Sequence, residues 1–195
     1  MTGDLPRYVV GNLPRYVTVA GEPHEVRTDY RDILNIISAI NDPELEDYEK
    51  AYALLVIFYP DLPDIPEEDL EAAYKAAVEF IEYGADHTSD KRPSKKLVDW
   101  EQDERIMIPA INKVAGMEIR TAEYLHWWTF LGYYMEITEG VYSQVLALRS
   151  KKARNKKLEK WEREFWANNR DICAIKPRLS QEEMEARDRL NAMLG

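Results

Sequence analysis

The spacing of apolar residues predicts that most of the first half of the chain is helical. Between residues 28 and 84, apolar side chains recur every three or four positions, so they fall on one face of a helix. Residues that cap or stop helices divide this region. Three helices are predicted, from Thr28 or Asp29 to about Ile40, from Asp42 to Tyr59 before Pro60, and from Pro66 to Gly84.

The second half is predicted to be helical as well, beyond a polar stretch at residues 85–96 that is typical of an exposed loop. Pro109 is expected to bend the first of its helices, Gly116 to end it, and Thr121 to cap the next. The predicted helices cover about 98–114, 122–137, 151–168 and 181–194, and a further apolar stretch lies at 141–148.

The N-terminal residues show the two-residue alternation of a β-hairpin. Val17-Thr18-Val19 and His24-Glu25-Val26 flank the turn-forming residues 20–23. The sequence Leu-Pro-Arg-Tyr-Val occurs at 5–9 and again at 13–17, which indicates a duplicated strand or an extended N-terminal variant rather than a solenoid. We therefore predict a mainly α protein, a multi-helix bundle of about seven helices with an N-terminal β-hairpin. Its expected parts are a hairpin or arm at 1–27, a helical domain at 28–169 and a peripheral segment at 170–195.

Charge is unevenly distributed along a chain whose net charge is −10. Residues 29–86 contain sixteen Asp or Glu and three Lys or Arg, whereas residues 149–163 contain eight Lys or Arg and two Glu. The basic run is interpreted in three ways: as a solvated or self-pairing helix face, as a surface for a protein partner, or as a nucleic-acid site where Trp161 or Trp166 stacks on bases. The first two are favoured, because an acidic protein repels a polyanion. Opposite charges also favour head-to-tail self-association.

Other features point to the reducing interior of a cell. Cys173 is the single cysteine, which excludes an intramolecular disulfide. The first residues lack the pattern of a secretory signal, and the longest apolar run, Ala53 to Tyr59, is far shorter than the roughly 20 residues that span a bilayer. We expect a cytoplasmic protein without a membrane segment.

The motifs of catalysis and of cofactor binding are missing from the sequence. Glycines form no phosphate-binding loop, and the histidines, His24, His87 and His126, lie in three different predicted elements. The acidic group Asp99, Glu101, Asp103 and Glu104 suggests either a divalent cation or, as we favour, stabilisation of a helix N-terminus. Cys173 lacks the basic surroundings of a nucleophile. The prediction is a protein that is not an enzyme and has no metal or cofactor.

The segment from Tyr124 to Tyr134 has the densest aromatic content of the chain. Trp127 and Trp128 point about 100° apart on a helix, so one narrow stripe does not hold both. The segment is interpreted either as core alone, which is favoured, or as core with one edge for a partner. In the second case we predict that Trp128, with Tyr124, Leu131 and Tyr134, is buried. The candidate partner contacts are then Trp127, Tyr133, Lys151, Lys152, Arg154, Lys156 and Lys157. On this interpretation Trp128→Ala unfolds the protein, and Trp127→Ala weakens binding alone.

Several segments, in this order, resemble a family of small phage proteins. They are Arg27-Thr28-Asp29-Tyr30-Arg31-Asp32-Ile33-Leu34, Asp99-Trp100-Glu101-Gln102-Asp103, Gly116-Met117-Glu118-Ile119, Leu125-His126-Trp127-Trp128-Thr129-Phe130 and Trp161-Glu162-Arg163-Glu164-Phe165. The family is the bacteriophage Gp-fifteen family of siphophages and prophages. The resemblance covers about residues 13–169 and leaves the first repeat copy and the C-terminal tail outside it.

The resemblance implies a role by gene position, between the major tail protein and the tape measure protein. Tail assembly chaperones are encoded there; they coat the tape measure protein and recruit tail-tube subunits. The expected partners are therefore the tape measure protein and the major tail protein, in the cytoplasm of the bacterial host, with the protein absent from the mature virion. The alternatives are a structural virion component, such as a head–tail connector or tail-completion protein, and a nucleic-acid-binding regulator that uses residues 149–163.

Overall fold

The structure, a computed structural model, describes residues 11–83 and 96–194. The first copy of the repeated segment and the predicted loop at 85–96, apart from Lys96, lie outside the described residues. The described part is mainly α, with an N-terminal β-hairpin, as predicted. Its contacts form two compact units. The first comprises described residues 11–27, 31–80 and 176–194, and the second comprises 28–30, 81–83 and 96–175.

Nine α-helices and two strands lie in the described part of the chain. The strands are β1 (Tyr16–Val19) and β2 (Glu22–Glu25); the helices are α1 (Tyr30–Ile40), α2 (Asp47–Phe58), α3 (Leu70–Ile81), α4 (Glu104–Ala115), α5 (Trp127–Met135), α6 (Val141–Ala153), α7 (Lys160–Asn168), α8 (Arg170–Cys173) and α9 (Gln181–Leu194). Short 3-10 turns lie at Leu62–Asp64, Glu67–Asp69 and Ile119–Thr121.

The predicted hairpin is confirmed in the first unit, with a tighter turn than expected. β1 and β2 pair antiparallel, and Val19 lies opposite Glu22. Ala20 and Gly21 both have positive φ, 49° and 96°, which suits a two-residue turn that follows the twist of the strands. Because two residues make the turn, β2 begins at Glu22 rather than at His24. Val17 and Val19 point to the core side.

The second helix begins later than predicted. Asp42, the expected cap, instead accepts a hydrogen bond from the Glu44 backbone N–H and forms a local turn. α2 starts at Asp47, where Glu46 and Glu49 form a reciprocal capping box. In the core of this unit, Phe58 packs edge-on against Tyr59 and Phe80 at 5.0 and 5.3 Å.

Three predicted helices of the second unit have different bounds in the structure, and the first of them, α4, begins at Glu104 rather than at about 98. α5 begins at Trp127, because His126 caps it by accepting a hydrogen bond from the Trp128 N–H. Thr121 lies in a 3-10 turn instead of at a cap. The helix predicted at 151–168 is two helices, α6 and α7, with a turn between them. Pro109 lies inside α4, and Gly116 ends that helix with φ +70°, as predicted.

The prediction that Trp127 is a partner contact is wrong. Its side chain is 1% exposed, stacks on Phe130 at 5.5 Å and donates from Nε1 to the Ile81 carbonyl at 2.8 Å. Trp127, Phe130 and Leu131, at positions i, i+3 and i+4, form the buried face of α5.

The prediction of which residues of this segment are buried was wrong for three of the four residues. Leu131 is buried as predicted, but Trp128 and Tyr134 are only half-buried. Tyr124 precedes the helix and is 47% exposed. The predicted contact Tyr133 is half-buried.

Candidate protein-binding surface

A buried arginine anchors the part of the second unit that carries the basic run. Arg149, on α6, forms two hydrogen bonds of 2.7 Å with the carboxylate oxygens of Asp103. Its remaining N–H groups donate to the carbonyls of Leu97, Ile172 and Cys173 at 2.8–2.9 Å. All five donors of the guanidinium therefore have acceptors, which is the condition for burying such a charge. This residue holds α6 against α8 and the start of α4.

The acidic group of the sequence belongs to this anchor. Asp103 is 1% exposed and also accepts a hydrogen bond from the Asp99 backbone N–H. Asp99 in turn accepts from Lys96 Nζ at 3.0 Å and from the Gln102 backbone N–H at 3.1 Å. The carboxylates of Asp99 and Asp103 are thus occupied by cations and N–H groups of the protein. Within residues 11–83 and 96–194, no group of three or more His, Cys, Asp or Glu has the arrangement of a metal site.

Two of the histidines have hydrogen-bond partners within the protein, and the single cysteine is buried. His24 lies 3.0 Å from an Asp61 oxygen, and His126 caps α5, whereas His87 lies outside the described residues. Cys173 is fully buried, and that burial raises the pKa of its thiol. A raised pKa lowers the thiolate fraction and so the reactivity of this cysteine.

The turn between α6 and α7 is built by its own backbone. Asn155 has φ +54°, a left-handed conformation that asparagine adopts more readily than most residues. The N–H groups of Asn155 and Lys156 bond back to the carbonyls of Lys152 and Lys151 at 3.1 and 2.8 Å. This pair of bonds is the Schellman ending of a helix. It stops α6 and divides the basic run between two helices and a turn.

A buried glutamate ties the two helices together across that turn. Glu162 is 4% exposed and forms an ion pair with Lys151. It also accepts a hydrogen bond of 2.8 Å from the Glu159 backbone N–H, as the N3 residue of a capping box. The hydrogen bond from Lys151, followed by that from the Glu159 backbone, lowers the pKa of Glu162. Lys151 is therefore used inside the protein and is only half-exposed.

An open groove lies beside this turn, and we call it the basic groove. It has a volume of about 670 Å³ and is lined by Lys152, Asn155, Lys156, Lys157, Leu158, Arg163 and Trp166. Lys152 places its Nζ 4.1 Å from the centre of the Trp166 ring, in a cation–π contact. Leu158 and Trp166 are half-buried, because their inner sides pack on a small core around Val145, Leu148 and Cys173. Packing on this core therefore holds the apolar walls of the groove in place.

Cations at the groove remain available to a partner. Arg154, Lys156 and Lys157 are exposed, and within the described part of the chain their side chains have no hydrogen-bond or ion-pair partner. Arg163 donates to the Leu158 carbonyl and stays exposed. The structure therefore brings three of the predicted contacts, Lys152, Lys156 and Lys157, to the groove and places Arg154 on the adjoining turn, whereas it buries Trp127.

The groove and the segments named above lie within a stretch that matches a family model. The model describes the Bacteriophage Gp15 protein and covers residues 9–175. The chain belongs to the Bacteriophage Gp15 protein family. The match includes both units in part, the Arg149 anchor and the whole basic groove, and it ends before α9. No curated protein and no solved structure matches the chain.

The groove wall and the anchor were missed at the sequence level. Trp166 was considered for base stacking only, and Arg149 was counted with the surface cations. Two local signals indicate the division of the basic run: Asn155, a residue suited to ending a helix, and the Glu159–Glu162 pair at capping-box spacing. No local signal identifies the partner of Arg149, since Asp103 is 46 residues away.

In the described residues, no helix is long and apolar enough to cross a membrane.

Proposed function

We propose that this phage protein is a tail assembly chaperone, which binds the tape measure protein and tail-tube subunits through protein contacts. Family membership supports a phage role, and the gene position implied by the resemblance supports this particular one. The observation that carries the proposal is the basic groove, where Lys156 and Lys157 have no hydrogen-bond or ion-pair partner among the described residues and lie beside the walls formed by Leu158 and Trp166. The proposal includes no catalytic step and no cofactor.

The physical basis is the recognition of an amphipathic helix by a groove. A tape measure protein presents long, partly apolar helices that aggregate when they are alone in solution. Apolar side chains on one face of such a helix contact Leu158 and Trp166. Their burial contributes about 25 cal/mol per Å² of apolar surface, from which the entropic cost of association is subtracted. Carboxylates beside that face pair with Lys156 and Lys157, which favours acidic segments and speeds association. We place this activity in the host cytoplasm.

Co-expression with the tape measure protein of the same phage tests the proposal. The wild-type chain should hold the tape measure protein in the soluble fraction and co-purify with it. The variant Lys156→Glu/Lys157→Glu should reduce the recovered complex by about tenfold, since it replaces two attractions by two repulsions. The control Lys75→Glu/Lys113→Glu makes the same charge change at two exposed lysines that do not line the groove and that pair with Glu71 and Glu139. Once circular dichroism shows that this control keeps its helical content, it should leave recovery unchanged.

Two outcomes of this experiment would contradict the proposal. The first is a tape measure protein that stays insoluble with the wild-type chain. The second is equal loss with the groove variant and with the control, which would mean that net charge alone matters. Mass spectrometry of purified virions adds an independent test, because a chaperone is expected to be absent from them. Presence at a fixed copy number would favour a structural virion component.

A nucleic-acid-binding function has one observation in its favour, the exposed side chain of Trp161 close in sequence to unpaired cations. Stacking on Trp161 with phosphates on Lys156 and Lys157 is the arrangement of single-strand binding. Such binding weakens steeply as salt is raised. Gel-shift assays with single-stranded DNA and RNA at low salt decide it: no shift removes this alternative.

A further inference from the structure

The last helix of the chain has no packing surface of its own. In α9, every described side chain, from residue 181 to 193, is exposed. Isolated helices of about 12–15 residues are marginal in water, so a helix of this length needs a surface that covers one face. Ala186, Leu190 and Met193 follow the i, i+4, i+7 spacing and form one apolar stripe, with Leu190 and Met193 55% and 84% exposed. This short stripe lacks a partner among the described residues, and the exposed Met184 lies on another side of the helix.

The start of α9 carries the opposite charge to the basic groove, whereas Arg187 and Arg189 follow later in the helix, and Arg187 pairs with Asp188. Glu182, Glu183 and Glu185 lie in its first two turns, and Glu182 flanks the apolar stripe. The start of the helix is fixed by a capping box, in which Ser180 N–H donates to Glu183 and Glu183 N–H donates to the Ser180 hydroxyl, at 2.9 and 3.2 Å. The apolar stripe of such a helix suits the apolar walls of the groove, and the carboxylates at its start suit the cations.

We propose that α9 of one molecule docks in the basic groove of a second copy of this chain. The stripe of Leu190 and Met193 contacts Leu158 and Trp166, and the carboxylates of Glu182 and Glu185, nearer the start of the helix, pair with Lys156 and Lys157. The groove is open along its length and has a volume of about 670 Å³.

The attachment of α9 to its own first unit favours a second copy of the chain as the source of the helix that occupies the basic groove. The Gln181 backbone N–H, at the start of α9, donates to Glu44 of the same unit, so the helix is attached to its own first unit at that end. A chain that carries both an acidic helix and a basic groove joins the next copy head to tail, through two different surfaces. An interface of one helix is small, so we expect a dissociation constant in the micromolar range. This inference does not rest on the proposed client.

Charge reversal in the full-length chain tests the contact. Sedimentation velocity should show concentration-dependent association of the wild-type protein. We expect the groove variant Lys156→Glu/Lys157→Glu and the helix variant Glu182→Lys/Glu185→Lys to raise the dissociation constant by about tenfold or more. The helix variant keeps the capping residues Ser180 and Glu183. Circular dichroism checks that both variants retain the helical content of the wild type.

Mixing the two variants tests whether α9 and the basic groove contact each other directly. In the mixture each reversed surface meets a complementary one on the other variant, so association should return to within about threefold of the wild type. The control Glu123→Lys/Glu136→Lys adds the same charge at exposed positions outside α9 and should associate as the wild type does.

Each remaining outcome is decisive. A wild-type chain that stays monomeric overturns the proposal, and so do variants that associate normally or a mixture that fails to associate. Leu190→Gln, which alters the stripe without changing charge, should weaken association as well. Because no client is present in this assay, the result is independent of tape measure binding.

Discussion

Replacing Trp127 by alanine should be among the most destabilising single changes in the second unit. The side chain is 1% exposed and stacks on Phe130 with ring centroids 5.5 Å apart. It also contacts Trp100 edge-on at 5.9 Å, and it satisfies the Ile81 carbonyl through a hydrogen bond of 2.8 Å. The alanine variant loses these contacts together and leaves a cavity that the surrounding rings fill only in part.

The size of the effect follows from burial. Removing a fully buried aromatic side chain costs about 3–5 kcal/mol, and this range includes the cavity that remains. Of a total stability of roughly 5–15 kcal/mol, that is a large fraction. For a chain of this length, 1 kcal/mol shifts Tm by about 2–4 °C, so Trp127→Ala should lower it by about 10 °C. Trp127→Phe keeps the stacking and loses the hydrogen bond, so it should cost about 1–2 kcal/mol.

The neighbouring tryptophan is the matched control. Trp128 is half-buried and packs edge-on against Tyr83 at 4.7 Å, so Trp128→Ala should cost about 1–2 kcal/mol. Guanidinium titrations followed by far-UV circular dichroism give the free energy of unfolding without depending on tryptophan emission. If Trp128→Ala destabilises the protein as much as Trp127→Ala does, the assignment of the buried face of α5 is refuted.

Three further predictions concern the Arg149–Asp103 pair, the turn at Asn155 and the Lys151–Glu162 ion pair. Asp103→Ala leaves the buried charge of Arg149 without its carboxylate and should cost about 3–5 kcal/mol in thermal melts; adding Arg149→Met should recover part of this loss, and no recovery would contradict the pair. Asn155→Gly should change the free energy of unfolding by less than about 0.5 kcal/mol, whereas Asn155→Val should lower it by about 1–2 kcal/mol, because only the valine is strained at φ +54°. Since its pKa is lowered in the folded protein, Glu162 contributes stability that is complete above its ordinary value of 4.5 and is lost as pH falls through the folded-state pKa. Urea titrations at several pH values should therefore show the wild type losing its advantage over Glu162→Gln below pH 4.5, and a constant difference would contradict the Lys151 contact.

Local patterns predicted the elements of this fold better than their ends. The hairpin followed from alternation around a turn predicted at residues 20–23, and the helical nature of both halves followed from spacing. The start of α2 was missed because two local signals compete. Asp42 accepts a hydrogen bond from the nearby Glu44 backbone N–H, and the Glu46–Glu49 pair caps α2 instead. Spacing holds no information on long-range pairs such as Tyr30 stacked on Phe130, a hundred residues apart. Such contacts decide which side of an aromatic helix is buried.

The basic run shows why a charge pattern alone does not define a surface. Eight cations in fifteen residues suggest one continuous face, and a single helix would have produced it. The left-handed turn at Asn155 divides the run, and its members then differ in role. Arg149 is buried in a complete hydrogen-bond network, Lys151 is neutralised by Glu162, and Lys152 lies over an aromatic ring. Lys160 and Arg163 are exposed on α7, and Lys156 and Lys157, on the turn, are the exposed lysines beside the apolar walls. For this reason the proposed client and the proposed second copy meet the protein at the same groove.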